Sequence, residues 1–542
     1  MKYRCFKTNI SLFALAIVLL LWPLVIAAQT ELLPMDHQLN ARLARSLYST
    51  SRPVHSSIQP YEFGAIAGGN NLDSLLSVGR VWDTTETNWL ARRIFGEHLA
   101  TAAEDGYRLY ADFYPDFQLG QDFSDQRTTY LNTRGVAVGG SISEAFSFRT
   151  EFYENQAKFP TYIEALVRRD SIIPGQGYYK YYAPQAVDYG YASAVISWRP
   201  SRYLGIQAGH GKNFLGDGYR SLLLSDVAFN YPYFKLTADI WKIKYMCMWT
   251  EFQHITSPIR FDEEPWHKKG GVFHYLDLQI TDRLSVGLFE SMIWRQQDSA
   301  LNRGFDLNYL NPIIFLHPVG YSLGSPDNYI VGVNWRYILV DGTALYGQGI
   351  LDEFVIGELV KNRGWWGDKY GIQLGVKSAE PFNVPGLYAQ AELNLVSPYT
   401  YAHMDPEKNH AHYRQSLEHP LGANFYEWIG IGQYAVGRCE FRLQCNYALY
   451  GVDSSATDNV GKVIYKSYLT RDHEYGNFIG QGIHTKLWYA QAQASYVLNP
   501  VNNLRLEASC TYRSTSSSIE STRSLLLSVG IRGSFRNLYY DF

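Results

Sequence analysis

Apolar and polar side chains alternate with a period of two along most of this chain. From 387 to 395, Leu387, Ala389, Ala391, Leu393 and Leu395 alternate with Tyr388, Gln390, Glu392 and Asn394. From 438 to 449, Cys439, Phe441, Leu443, Cys445, Tyr447 and Leu449 alternate with Arg438, Glu440, Arg442, Gln444 and Asn446. From 504 to 513, Leu504, Leu506, Ala508, Cys510 and Tyr512 alternate with Arg505, Glu507, Ser509, Thr511 and Arg513. Successive strand side chains point to opposite faces, so each segment predicts a strand with one apolar and one polar face. About eighteen such strands are expected, within a range of sixteen to eighteen, the weakest division being at Trp241-Lys242, where 233–252 reads equally as one long strand.

The connections alternate in length. Short ones include Arg199-Pro200-Ser201, Thr281-Asp282-Arg283, Val340-Asp341-Gly342 and Asn499-Pro500-Val501-Asn502. Between them lie long ones near 156–188, 211–232, 253–271, 296–328, 352–368, 398–420 and 451–481. Outer-membrane barrels combine short periplasmic turns with long outer loops, whereas a β-sandwich has no reason to alternate. A polar face carrying Arg, Glu and Gln suits a wet lumen, with the apolar face meeting lipid. The sequence therefore predicts an all-β transmembrane antiparallel barrel over 105–542. Its final residues, Leu538-Tyr539-Tyr540-Asp541-Phe542, resemble the terminal signal read by the barrel-assembly machinery.

The N-terminal region differs. Lys2, Arg4 and Lys7 precede an apolar run from Ile10 to Ile26 and the small pair Ala27-Ala28, which reads as a signal peptide over 1–28 with Gln29 first in the mature chain. Residues 29–104 are expected to form a small, mostly helical periplasmic segment. Leu39, Leu43 and Leu47 recur at helical spacing, and Trp89 to Ala103 reads as a second helix.

Composition narrows the function classes. Removing residues 1–28 removes three basic residues, leaving 45 basic against 51 acidic, which excludes a broadly basic nucleic-acid binder. The 43 Tyr, 27 Phe and 13 Trp suit the aromatic girdles of a membrane barrel. Cys439 and Cys445, six residues apart in one strand, sit too far apart to bridge. No CxxC pair or HExxH occurs and no spacing rule singles out a nucleophile, so no enzyme, cofactor or metal is predicted.

Several segments carry candidate chemistry. Gly209 to Arg220 holds Gly211-Lys212 without phosphate-loop spacing, and is expected to be a tight loop folded against the lumen. His403, His410, His412 and His419 cluster with Asp405, Glu407 and Glu418 in a long polar loop, without the spacing of a standard metal site. Trp365 and Trp366 stand in another loop, where indoles could stack on sugar rings or anchor the barrel rim. These six Trp and His residues are the candidate glycan contacts. Glu290 falls on an apparently lipid-facing register, and a β-bulge turning it inward is the expected remedy for a carboxylate at that depth.

Phe152-Tyr153-Glu154-Asn155-Gln156-Ala157, the loop from Gly209 to Asp226, Arg303-Gly304-Phe305 with Tyr309-Leu310-Asn311-Pro312, Gly324-Ser325-Pro326-Asp327-Asn328, and His419-Pro420-Leu421-Gly422-Ala423-Asn424-Phe425 run across most of the barrel. Together they resemble the Wzi-type capsule-assembly family of outer-membrane barrels, and more closely its gliding-motility RemB-like branch. Glu418 departs from that pattern, where alanine is expected. The resemblance implies an 18-stranded barrel in the outer membrane of a Gram-negative bacterium. It also implies a non-enzymatic role in attaching or assembling surface polysaccharide, in support of adhesion or gliding. Its expected partners are outer-membrane lipid, surface polysaccharide, the barrel-assembly machinery and secretion or motility machinery. A diffusion porin is the alternative reading, since a barrel of this size can hold an aqueous channel.

Overall fold

The computed structural model describes residues 30–66, 76, 88–255, 266–296, 304–313, 327–353, 355–361 and 363–542. The expected signal peptide lies outside them. Eighteen antiparallel strands close into one barrel. In chain order these are β1 Tyr107–Asp122, β2 Arg127–Ile142, β3 Phe146–Lys158, β4 Ala186–Ser201, β5 Leu204–Gly211 and β6 Tyr231–Ile240. Next come β7 Ile243–His254, β8 His267–Gln279, β9 Leu284–Arg295, β10 Asn328–Val340, β11 Thr343–Leu351 and β12 Tyr370–Ala379. Then follow β13 Leu387–Val396, β14 Phe425–Val436, β15 Cys439–Val452, β16 Ile483–Asn499, β17 Leu504–Ser516 and β18 Ser521–Arg532. The chain does divide at Trp241, whose positive φ makes the tight turn between β6 and β7. Closure pairs Leu526–Arg532 of β18 with Asp116–Asp122 of β1, and a short strand Ala100–Glu104 pairs with the start of β1.

The alternation sets which face is wet. Glu392, Asn394, Gln444, Asn446, Arg505 and Arg513 are buried inside, whereas Leu443, Leu506, Tyr512, Leu527, Val529 and Ile531 are exposed on the outer wall. An apolar exterior of this kind is what a bilayer demands, because closure leaves no unpaired strand edge.

Four chain segments fill the lumen. At the short-turn end, α1 (His37–Leu47) buries Leu39, Ala41, Leu43, Ala44 and Leu47. It packs against Ile338, Ala344 and Tyr388 of the wall, and Asp36 caps it by accepting from the Leu39 N–H at 2.7 Å. The loop 212–230 enters from the long-loop end, with Leu222, Leu223 and Leu224 nearly fully buried. The loop 397–424 folds inward above it. Residues 533–542 turn back from β18 into the barrel, where Tyr539 and Asp541 are buried.

Two expectations change, and the tail takes a path of its own. The second helix, α2, covers only Trp89–Phe95; Gly96 ends it, and the Ala100–Glu104 stretch is recruited as a strand by the open edge of β1. The terminal residues are not strand: the last strand stops at Arg532 and the tail lies inside. No bulge turns Glu290 inward, since its register with His274 and Val331 is unbroken. Glu290 keeps its outward position and is buried because residues 304–313 lie over the outer wall. There the Trp249 Nε1 donates to the Tyr309 carbonyl at 2.8 Å and the Trp294 Nε1 to the Gly304 carbonyl at 3.2 Å. His274 stands 3.9 Å from Glu290 under the same cover.

Candidate functional site

The Gly209–Arg220 segment forms the expected hydrogen-bonded loop against the lumen. Its backbone N–H groups at Tyr219 and Arg220 donate to the two carboxylate oxygens of Glu392 at 2.7 and 3.1 Å, and the Leu222 N–H donates to Gln348 at 2.7 Å. Gly216 and Gly218 permit this approach. A Cβ at Gly216 would sit 2.1 Å from the Gln348 amide, at a φ of +131°. At the centre, the fully buried Arg220 reaches Glu427 of β14 at 3.1 Å and Asp541 of the tail at 3.0 Å. His419 closes the cluster, its Nε2 lying 2.6 Å from Glu427 while its Nδ1 accepts from the Leu421 N–H at 3.1 Å. The wall, both inward-folded loops and the tail therefore meet at one charged cluster.

The four candidate histidines do not offer themselves to a surface ligand. His403 is 4 % exposed, His412 2 %, and His410 and His419 are fully enclosed. Each makes an internal contact instead. His412 Nδ1 accepts from the Gln253 N–H, so its Nε2 donates to the Asn230 carbonyl, both at 3.0 Å. Burial holds its pKa down at about 3. His410 Nδ1 lies 2.9 Å from Glu418. Burial pushes His410 well below and Glu418 well above their ordinary values, each toward its uncharged form. His403 Nδ1 accepts from the Asp405 N–H at 3.1 Å. Apolar wrapping by Tyr401, Leu417 and Phe425 explains their enclosure, and the polar look of the loop concealed it.

Trp365 and Trp366 remain half-exposed, on the loop between β11 and β12. Both indole N–H groups donate to Glu474 Oε1, at 3.2 and 3.0 Å. Glu474 belongs to the loop between β15 and β16, which is laced to the tryptophan loop through the Asn477 N–H and the Gly364 carbonyl at 2.9 Å. Arg471 stands 4.4 Å over the Trp366 ring and Tyr468 lies 4.7 Å from it. His403 flanks Tyr468 at 6.0 Å. The result is an aromatic shelf with charged edges, facing out from the long-loop end. Arg471, ahead of the two indoles, keeps the Glu474 carboxyl below its usual range. Sequence reasoning found the tryptophans but not Tyr468, Arg471 and Glu474, which lie about a hundred residues downstream.

These features define a plugged, 18-stranded barrel of the outer-membrane type. No protein-family model matches the chain, and no curated protein matches it in sequence. Among solved structures it is similar to Wzi of Escherichia coli, described as a carbohydrate-binding β-barrel involved in group 1 capsule assembly. The identity is 12%, covering 92% of this chain and 98% of that one, with a TM-score of 0.53. OprD of Pseudomonas aeruginosa also aligns, at 10% identity over 79% of this chain and 94% of that one, with a TM-score of 0.41. At these identities the likeness concerns the fold.

Proposed function

We propose that this chain is a non-enzymatic outer-membrane barrel that holds surface polysaccharide during its attachment or assembly. The observation that carries the reading is the filled lumen beneath an outward-facing aromatic shelf. Four chain segments are hydrogen-bonded into the space a solute would cross, so the barrel serves as a rigid mount for its outer loops. Trp365 and Trp366 are half-exposed apolar rings, with Arg471 over Trp366 and Glu474 at the indole edges, a combination that suits the apolar C–H faces and hydroxyl rims of sugars. The fold shared with a carbohydrate-binding capsule barrel supports the ligand class. A service to adhesion or gliding is the finer part of the reading, supported by the segment resemblance. The histidines contribute from behind, by fixing the loop that carries His403 against Tyr468.

The test is a Trp365→Ala/Trp366→Ala variant with unchanged heat-modifiable mobility. Retained cell-surface polysaccharide and binding of the extracted polymer to purified protein should both fall at least fivefold. Wild-type values in both would return the tryptophans to rim anchors. A steady open channel from the purified wild type in planar bilayers would favour the diffusion porin.

A further inference from the structure

A second outward cavity, of about 720 Å³, lies away from the tryptophan shelf. Its walls are the helix α3 (Thr161–Asp170), the stretches 414–422 and 462–465, and the top of the β17–β18 hairpin; Phe542 of the tail forms part of its lining. All the walls but the tail belong to the long-loop end.

Cations and aromatic rings alternate around this cleft. Arg513 stands 4.8 Å over Tyr162, Lys462 stands 4.2 Å over Tyr450, and Arg414 stands 5.4 Å over Tyr465. Among the described residues none of these three cations pairs with a side-chain carboxylate. Arg513 donates at 3.1 Å to the main-chain carboxyl oxygen of Phe542, the last residue, and Lys462 to the Leu421 carbonyl at 2.8 Å. Among the described residues the buried Nε atoms of Arg414 and Arg513 have no hydrogen-bond partner. The side-chain carboxylates of the cleft are Asp125 and Glu520 on hairpin tips and Asp170, which is tied to Arg169 at 2.7 Å, and the Phe542 carboxyl stands beside Arg513. Burial, and then the neighbouring Arg169, pull the Lys462 pKa down to about 7 against the opposing pull of Asp453. This concentration occurs in a chain with a net charge of −3.

We propose that this cleft binds an acidic glycan segment. Its sugar carboxylate is held by the guanidinium groups of Arg414 and Arg513 and by Lys462, with its rings lying against the three tyrosines. Planar guanidinium forks match carboxylates in geometry and charge, and partly desolvated cations gain more from an anion than exposed ones do. The identification rests on the carbohydrate reading above and adds the sign of the ligand's charge and a place for it.

Calorimetry on the purified full chain in neutral detergent tests it, with oligogalacturonate as the acidic probe and maltoheptaose as the neutral one. Oligogalacturonate should bind, more weakly as NaCl rises, and maltoheptaose at least tenfold more weakly. Arg414→Gln/Arg513→Gln should lose at least tenfold, and Arg414→Gln alone, in a loop, provides the control should the double variant fail to fold. Trp365→Ala/Trp366→Ala should bind oligogalacturonate like wild type. Equal binding of both probes, no binding of oligogalacturonate, or wild-type affinity in the folded Arg variants would overturn the proposal. So would lipopolysaccharide binding that inorganic phosphate displaces and oligogalacturonate does not. If native polymer still binds through the tryptophan shelf while oligogalacturonate ignores the cleft, this inference fails and the carbohydrate reading stands.

Discussion

Replacing Arg220 with Met keeps most of the side-chain volume and removes the cation that ties the lumen loop to the wall and the tail. Arg220 is fully buried and bridges Glu427 at 3.1 Å and Asp541 at 3.0 Å. Removing one member of a buried ion pair costs about 3–5 kcal/mol, because the partner charges stay buried without compensation. Here Glu427 keeps His419 at 2.6 Å, and Asp541 keeps Tyr219, Gln444 and Asn446 at 2.7–3.0 Å. Those remaining hydrogen bonds put the cost near the lower end, about 3 kcal/mol, or on the order of 100-fold in the opening equilibrium of the plug.

The barrel wall does not depend on this cluster, so the effect should be local. Hydrogen exchange in detergent micelles reads it directly through the Tyr219, Arg220 and Leu222 amides, which donate to Glu392 and Gln348. Peptides covering 216–225 and 536–542 should exchange on the order of 100-fold faster in Arg220→Met, and β15–β17 peptides should not change. In Arg220→Met/Glu427→Gln one stranded charge is gone, so more than half of the protection should return. Exchange within threefold of wild type in Arg220→Met, or a double variant worse than the single one, would refute the account of Arg220 as the tie.

Acidification should loosen the same plug. Burial holds His37 and His403 at about 4 and His412 at about 3. These groups stay neutral when folded and gain protons when unfolded, so stability is present above about pH 6.5 and is lost as pH falls toward 4, at about 1.4 kcal/mol per pH unit for each fully titrating group. Glu418, raised by burial, acts in the opposite sense and is least costly in acid. Proteolysis of the loop 397–424 should therefore accelerate between pH 7 and 4.5, and a flat profile would contradict the buried-histidine account. Topology can be read with tags at the exposed Ser455 and Asp282; intact cells should label at Ser455 only. Cys439 and Cys445 should remain unbridged on peptide mapping, and an outward-facing Cys445 should react with membrane-partitioning thiol reagents before the buried Cys247.

Much of the barrel was legible because the period-two signal is local. Each strand records which of its faces meets lipid, and the Arg, Glu and Gln of 438–446 and 504–513 do face inward as their alternation requires. The lumen contents were less legible, because they are settled by contacts far apart in sequence. Leu222-Leu223-Leu224 in an otherwise polar loop was a local signal of burial. The histidine loop had none so plain, and its enclosure depends on Phe252, Tyr401 and Phe425 converging from three places. Glu290 shows the same limit. Its outward register was read correctly, but the cover from residues 304–313 is a tertiary event that no periodicity encodes. Trp89 to Ala103 misled because helical spacing persists past Gly96, where the unpaired edge of β1 outweighs helix propensity.

The character of the plug bears on what the barrel is for. A lumen filled for stability alone would use apolar side chains, since buried ion pairs are often no better than hydrophobic replacements of equal volume. This one instead joins Arg220, Glu427, Asp541, Glu392 and Gln348 through directional bonds, which set position more strictly than they add stability. Position is what the outer loops need. The cluster fixes loop 397–424 through His419, and that loop places His403 against Tyr468 beneath Trp366. The tail that carries Asp541 also brings Phe542 into the lining of the cationic cleft. One internal cluster thus sets the height and orientation of both outward sites, so Arg220→Met should weaken polymer binding at the shelf and oligogalacturonate binding at the cleft together, although Arg220 touches neither.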